Sequence, residues 1–311
     1  MRTSTFRLRG LVPPLVTPLS GPAEIDAAGL GRLIEHVLAG GVHGLFLLGT
    51  TGEGPSLPQA VRHQLVAMAC DQVAGRVPVL VGISDTSWSD SLALAEAAYA
   101  AGASAVVAAP PYYFSATQPE LLRWYRDLAD ASPLPLVLYN MPSHTKLVIE
   151  LATLTALAGH ENIMGLKDSS GDLAYFREAC RSLPPDFPVL IGPEELLLPA
   201  LRAGGAGGVC GGANLEPRSY VALYEAWQAE DEAAAARRQQ RVAALGEALY
   251  TVGESPGRII QGLKTALDML GICSPLLAPP FAAHSAEERR TIAGRLIGLG
   301  IPHAQPQPVE A

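Results

Sequence analysis

The sequence predicts an α/β protein, a (β/α)8 TIM barrel carrying a C-terminal helical appendix. Eight short apolar runs follow one another over the first 215 or so residues, and almost every run is followed by a stretch with helical periodicity. Several of the runs are apolar nearly throughout rather than alternating, the pattern of strands covered on both faces. A doubly wound sheet is the other architecture that this alternation of strand and helix allows.

The runs are 11–19, 42–50, 77–83, 104–111, 133–140, 163–169, 188–193 and 205–213. After the first, Leu30, Leu33, Ile34, Val37 and Leu38 recur at helical spacing behind Asp26, a residue suited to capping. Ser56 with Gln59, and Thr117 with Glu120, read as capping boxes opening the second and fourth helices. Beyond residue 215 only helices are expected, over 216–228, 230–251, 257–271 and 285–298, the last opened by Ser285 with Glu288. The expected organisation is a barrel core over 1–215, helices over 216–300 that complete and flank it, and a loose tail over 301–311.

Composition narrows the function. The 311 residues are 49% apolar and 17% charged, enough for one large core or two domains. No uncharged apolar run of about 18 residues offers a membrane span. The opening MRTSTFRLRG is basic but lacks the apolar centre of a secretory signal, which leaves the cytoplasm as the expected location. Cys70, Cys180, Cys210 and Cys273 are far apart, without paired spacing, and read as reduced core or loop residues. A net charge of −8 argues against a nucleic-acid partner, which needs a basic face.

Reactive groups of such a barrel belong at the C-terminal ends of its strands. The basic residues number 22, of which three are lysines, Lys146, Lys167 and Lys264, and Lys167 alone closes an apolar strand. Burial there is expected to favour the neutral amine, a nucleophile that forms a Schiff base with a ketone. On its own, a strand-end lysine snorkels into water more often than it reacts; its neighbours decide. Strand two ends in the turn Gly49-Thr50-Thr51-Gly52-Glu53, whose backbone N–H groups can hold a carboxylate, although such a turn is also an ordinary strand–helix connection. Strand five ends in Tyr139, placed to pass protons or simply to pack at the rim. Gly165, two residues before Lys167, points the same way and is expected to leave space for a small keto acid. The glycines around Val209 let backbone approach a substrate or pack closely, and could otherwise cradle a phosphate. A metal is not expected. Of seven histidines only His144 lies just past a strand end, so a metal site would fall to carboxylates such as Glu53, Asp85 and Glu194.

With those residues in hand, GLFLLGTTGEG (44–54), YNMPSHTKLVIE (139–150) and IMGLKDSSG (163–171) resemble the two signatures of the dihydrodipicolinate synthase/N-acetylneuraminate lyase family, over nearly the whole chain. The resemblance implies a cofactor-free Schiff-base lyase or aldolase that forms or consumes pyruvate or a related 2-oxo acid, with an aldehyde as partner substrate, in a homotetramer built from tight dimers. It implies that Lys167 is the Schiff-base lysine and Tyr139 the proton-transfer tyrosine. It also implies that Thr50 and Thr51 hold the carboxylate, Thr50 sharing in the proton relay, and that Tyr113 reaches a partner subunit's site. Gly49, His144 and Val209 complete the expected substrate-binding set.

The chain also departs from the synthase pattern. His144 stands where synthases carry an arginine that grips the aldehyde's carboxylate, and a histidine lacks that bidentate fork. Asp168-Ser169-Ser170 replaces the more usual Glu-Ala-Thr, and Phe114 closes a PYYF segment in place of Pro-Tyr-Tyr-Asn. These features resemble members that cleave 2-keto-3-deoxy sugar acids or 4-hydroxy-2-oxoglutarate. Condensation of pyruvate with aspartate semialdehyde is the alternative reaction, and a non-catalytic barrel that binds 2-oxo acids is a second. Lys146 could supply a replacement charge but reads more readily as a solvated loop lysine, and Lys264 as structural.

Overall fold

A computed structural model describes residues 6–302. Most of the expected tail and His303 lie outside the described residues, as do residues 1–5 of the basic opening. Eight parallel strands form one sheet: β1 (Gly10–Leu11), β2 (Leu45–Leu47), β3 (Val79–Gly82), β4 (Ala105–Ala108), β5 (Leu136–Asn140), β6 (Ile163–Asp168), β7 (Val189–Ile191) and β8 (Gly207–Gly208). From β2 to β8 each strand pairs with the next in sequence, and β8 pairs back with β1. The remaining seam, between β1 and β2, closes through a parallel bridge from Pro14 to Phe46, with Leu15 N–H donating to Phe46 O and Phe46 N–H to Pro13 O. The sheet is a closed barrel, as predicted, not an open doubly wound one.

Side-chain alternation explains why the runs read as apolar throughout. Leu45, Leu47, Val79, Val81, Val106, Leu136, Leu138, Leu166 and Ile191 belong to the core under the helices. Phe46, Leu80, Val107, Val137, Tyr139, Leu190 and Val209 form a second core inside the barrel, which Leu8 joins from below the strands. One bulge matters for the site. Leu136 pairs with Ile163 but Val137 with Gly165, so Met164 is an extra residue in β6. From there on the register holds Tyr139 opposite Lys167 and Asn140 opposite Asp168.

The helices are α1 (Ala27–Ala39), α2 (Gln59–Val73), α3 (Trp88–Ala100), α4 (Gln118–Ala131), α5 (Leu151–Ala158), α6 (Leu173–Ser182), α7 (Leu197–Arg202), α8 (Pro217–Gln228), α9 (Glu232–Tyr250), α10 (Arg258–Met269) and α11 (Ala286–Gly298). Asp26 caps α1 by accepting from Gly29 N–H, and both capping boxes at Thr117–Glu120 and Ser285–Glu288 form. The expected box at Ser56 does not. Gly54–Ser56 is a 3-10 turn and Pro58 occupies the position before α2, because Pro55 and Pro58 impose their own backbone angles ahead of any side-chain cap. The run 11–19 is also shorter as a barrel strand than expected, and Leu19–Gly21 turns back against Glu24–Ile25 in an antiparallel hairpin before α1.

Candidate active site

The floor of the barrel mouth is aromatic. Phe46 and Tyr139 meet edge to face, centroids 6.4 Å apart, and Lys167 Nζ lies 4.8 Å from the first ring centre and 4.1 Å from the second. Lys167 is 5% exposed, and among the described residues it takes part in no ion pair. Leu80, Val107, Val137, Leu190 and Val209 line a cavity beside it with space of about 10 Å³, roughly one water molecule. Val209, expected at the substrate, is therefore part of the wall around the amine.

The phenol leads to the turn after β2. Tyr139 Oη and Thr50 Oγ1 are 3.3 Å apart, so Thr50, Tyr139 and Lys167 are brought together. The turn is forced by its backbone. Leu48 (φ 58°) and Glu53 (φ 57°) are both left-handed, a conformation costly for side chains larger than glycine. A Cβ on Gly54 would stand 2.3 Å from Leu48 O, and one on Gly82 of β3 would stand 2.5 Å from the same oxygen. Gly49 curls over the Phe46 ring, where a Cβ would come within 2.6 Å. Glu53 N–H donates to Thr50 O, closing the loop around Thr51.

Glu53 is not free to take a metal. Its carboxylate is buried against the Lys264 ammonium, Oε1 to Nζ 2.5 Å, and Oε2 accepts from Ala278 N–H at 2.6 Å. The other expected carboxylates are also engaged. Asp85 pairs with Arg62 at 2.6 Å. Glu194 accepts from Tyr220 Oη at 2.6 Å and Gly212 N–H at 2.9 Å, and burial pushes its carboxyl up to about 7. No group of three or more His, Cys, Asp or Glu among the described residues is arranged to hold a metal ion.

The rim is built by β5 and β6. Asn140 Nδ2 donates to Asp168 Oδ1 at 2.8 Å, while Asn140 Oδ1 accepts from Ile149 N–H, which pins the segment carrying His144. Burial raises the Asp168 carboxyl, against the hydrogen bonds from Asn140 and Ser170 that pull it down. His144 lies in a single helical turn, Pro142–Thr145, exposed, its Nδ1 3.0 Å from Ser143 Oγ. Partial burial, then the charge of Lys146, hold its imidazole below the usual pKa. Lys146 Nζ donates to Ser143 O at 2.5 Å and remains exposed.

One expectation fails. Gly165 leaves no room for a keto acid, because a Cβ there would meet Pro188 at 3.0 Å and Leu8 at 3.1 Å; its missing side chain serves packing near the bottom of the barrel. Tyr113, expected to reach a partner subunit's site, stands 77% exposed with its ring against Phe114. The inward-facing Phe46 goes unforeseen, because GLFLL is apolar on both faces and its alternation does not say which face looks into the barrel. The Asn140–Asp168 link and the Glu53–Lys264 pair were missed as well.

With this geometry in place, the comparisons agree on one family. The model of the dihydrodipicolinate synthetase family matches residues 7–297. A 4-hydroxy-tetrahydrodipicolinate synthase of Methanopyrus kandleri is 32% identical over 299 residues, covering 95% of this chain and 98% of that one. An uncharacterized DapA-like lyase of Halobacterium salinarum is 35% identical over 294 residues, covering 94% and 95%. Among solved structures, the dihydrodipicolinate synthase of Bacteroides thetaiotaomicron superposes with a TM-score of 0.91 at 46% identity, over 94% of this chain and 98% of that one. YagE, a prophage protein of E. coli K12 solved in complex with pyruvate, gives 0.90 at 30% identity over 95% and 99%.

Proposed function

The chain belongs to the dihydrodipicolinate synthetase family, enzymes that make or break carbon–carbon bonds through a lysine Schiff base, and on that premise we propose that it cleaves 2-keto-3-deoxy sugar acids or the related 4-hydroxy-2-oxoglutarate to pyruvate and an aldehyde. The observation that carries the chemistry is the buried Lys167 Nζ, in no ion pair among the described residues, lying 4.1 Å over the ring of a tyrosine whose hydroxyl meets Thr50. Lys167 attacks the ketone carbon, and water leaves to give the protonated imine. Tyr139, through Thr50, takes the proton of the substrate's 4-hydroxyl. The C3–C4 bond then breaks, its electron pair passes into the imine as an enamine, and the aldehyde departs. Protonation at C3 and hydrolysis release pyruvate and restore the amine. The turn of Gly49, Thr50 and Thr51 holds the 2-oxo acid's carboxylate, and Val209 closes the wall beside the imine.

The substrate assignment rests on His144. An imidazole held below its usual pKa suits the hydroxyl groups of a 2-keto-3-deoxy sugar acid better than a second carboxylate, so 4-hydroxy-2-oxoglutarate, which carries one, is the weaker fit of the two substrates. Condensation of pyruvate with aspartate semialdehyde is the second reading, favoured by the exposed Lys146 beside His144 and by the name of the Methanopyrus relative. The test is pyruvate release from a panel of 2-keto-3-deoxy acids and 4-hydroxy-2-oxoglutarate, run beside synthase activity with the semialdehyde. Activity with the semialdehyde alone would overturn the first reading. We further propose a homotetramer of tight dimers in which the exposed Tyr113 enters a neighbouring subunit's site, which light scattering and the turnover of Tyr113→Phe check.

A further inference from the structure

The turn that holds the proposed carboxylate is tied at its far end to a part of the chain that supplies no reacting group. Glu53 closes the turn, 3% exposed and left-handed, and its two carboxylate oxygens are both engaged by the C-terminal region. Oε1 meets Lys264 Nζ of α10 at 2.5 Å, and Oε2 accepts from Ala278 N–H at 2.6 Å. Lys264 is itself fully buried and donates to Leu276 O at 2.5 Å, so the ion pair is linked twice to the 276–278 segment. One residue earlier, Thr17 Oγ1 donates to Gly52 O at 2.6 Å. The backbone directly after Thr50 and Thr51 is thus anchored twice, by a loop hydroxyl and by a buried ion pair.

We propose that Glu53 and Lys264 form a positioning pair, through which α10 and the 276–278 segment set the geometry of the Thr50–Thr51 turn and hence the affinity for the 2-oxo acid's carboxylate. Breaking a buried pair by removing one partner leaves a lone charge and costs stability, whereas removing both with apolar groups of similar length can be nearly neutral. That asymmetry separates positioning from mere folding support. The inference rests on the Lys167 imine reading above.

The experiment measures the pyruvate concentration giving half-maximal borohydride labelling, the labelling at saturating pyruvate, and Tm, for wild type, Lys264→Met and the double variant Glu53→Met/Lys264→Met. The expected result is a Tm loss in the single variant that the double variant largely recovers, while both need at least tenfold more pyruvate and both still label fully at saturation. A double variant with recovered Tm and the wild-type pyruvate requirement would overturn the pair's role. Glu53→Gln, which keeps the side chain's shape and an acceptor for Ala278 N–H but removes the charge facing Lys264, provides a second reading if the double variant does not fold. It is expected to raise the requirement about threefold, and no change would likewise overturn the proposal. A wild type that is not labelled at all would overturn the Lys167 assignment beneath it, a result distinct from either.

Discussion

The tripeptide Gly-Leu-Lys occurs as 165–167 and again as 262–264, and the two copies put buried lysines to opposite use. In β6 the lysine sits 4.1 Å over Tyr139 with no carboxylate partner; in α10 it is locked to Glu53 at 2.5 Å. Both glycines are there for close packing, against Pro188 and Leu8 in one case and the Leu249 carbonyl in the other. Both leucines are fully buried. What differs is the company of the amine. Around Lys264 burial lowers the pKa and the Glu53 charge offsets that in part, and the side chain is tied into an ion pair. Around Lys167 the walls are rings and aliphatic side chains, which leave the nitrogen free for chemistry.

The contrast can be broken at either lysine. The largest effect is expected for Lys167→Met, which should abolish borohydride labelling with pyruvate and lower kcat/KM by at least about 1000-fold while leaving Tm unchanged or raised, since it removes an uncompensated buried amine. Equal labelling of wild type and variant would end the assignment. Tyr139→Phe should slow turnover by about 100-fold with imine labelling partly retained; loss of labelling with normal turnover of the remainder would assign the phenol to another step. Lys264→Met should show the reverse profile of Lys167→Met, a stability loss of about 3–5 kcal/mol read by thermal or urea unfolding, with labelling at saturating pyruvate preserved. The smallest effect sharpens the picture of buried charge near the turn. Glu194, raised to about 7 by burial, binds its proton more tightly folded than unfolded. Its contribution is fully present below the unfolded carboxylate pKa and is lost as pH rises through about 7. Glu194→Gln should therefore flatten the fall in Tm between about pH 4.5 and 7, and an unchanged slope would remove Glu194 as its source.

Much of this was legible in the chain because strand and helix periods are local. Apolar runs placed the barrel strands, and Thr117 with Glu120 marked a helix start that the structure keeps. The lysine at a strand end beside a tyrosine at the next was readable too, since parallel neighbours bring their ends level. What escaped depends on distance or on missing atoms. Glu53 and Lys264 lie on segments whose meeting only the closed barrel decides. Gly165 reads as room for a ligand, because a sequence shows an absent side chain without showing that Pro188 and Leu8 fill its place. The last strand is only Gly207–Gly208, too short and too plain for any pattern to bound it, and the hairpin before α1 hid in the tail of the first apolar run. The Ser56 box failed because two prolines outrank a hydroxyl in setting the local backbone.

The two ends of the proposed substrate meet materials of different kinds. The turn at Leu48–Gly54 is made of main chain pressed so closely that a single added carbon at Gly54 or Gly82 strikes the Leu48 carbonyl. His144 and Lys146 stand on an exposed helical turn where one side chain exchanges for another at little cost. A catalyst built this way is rigid about what it captures first and permissive about what it captures second, so a change of diet would begin at the histidine and leave the acid grip untouched.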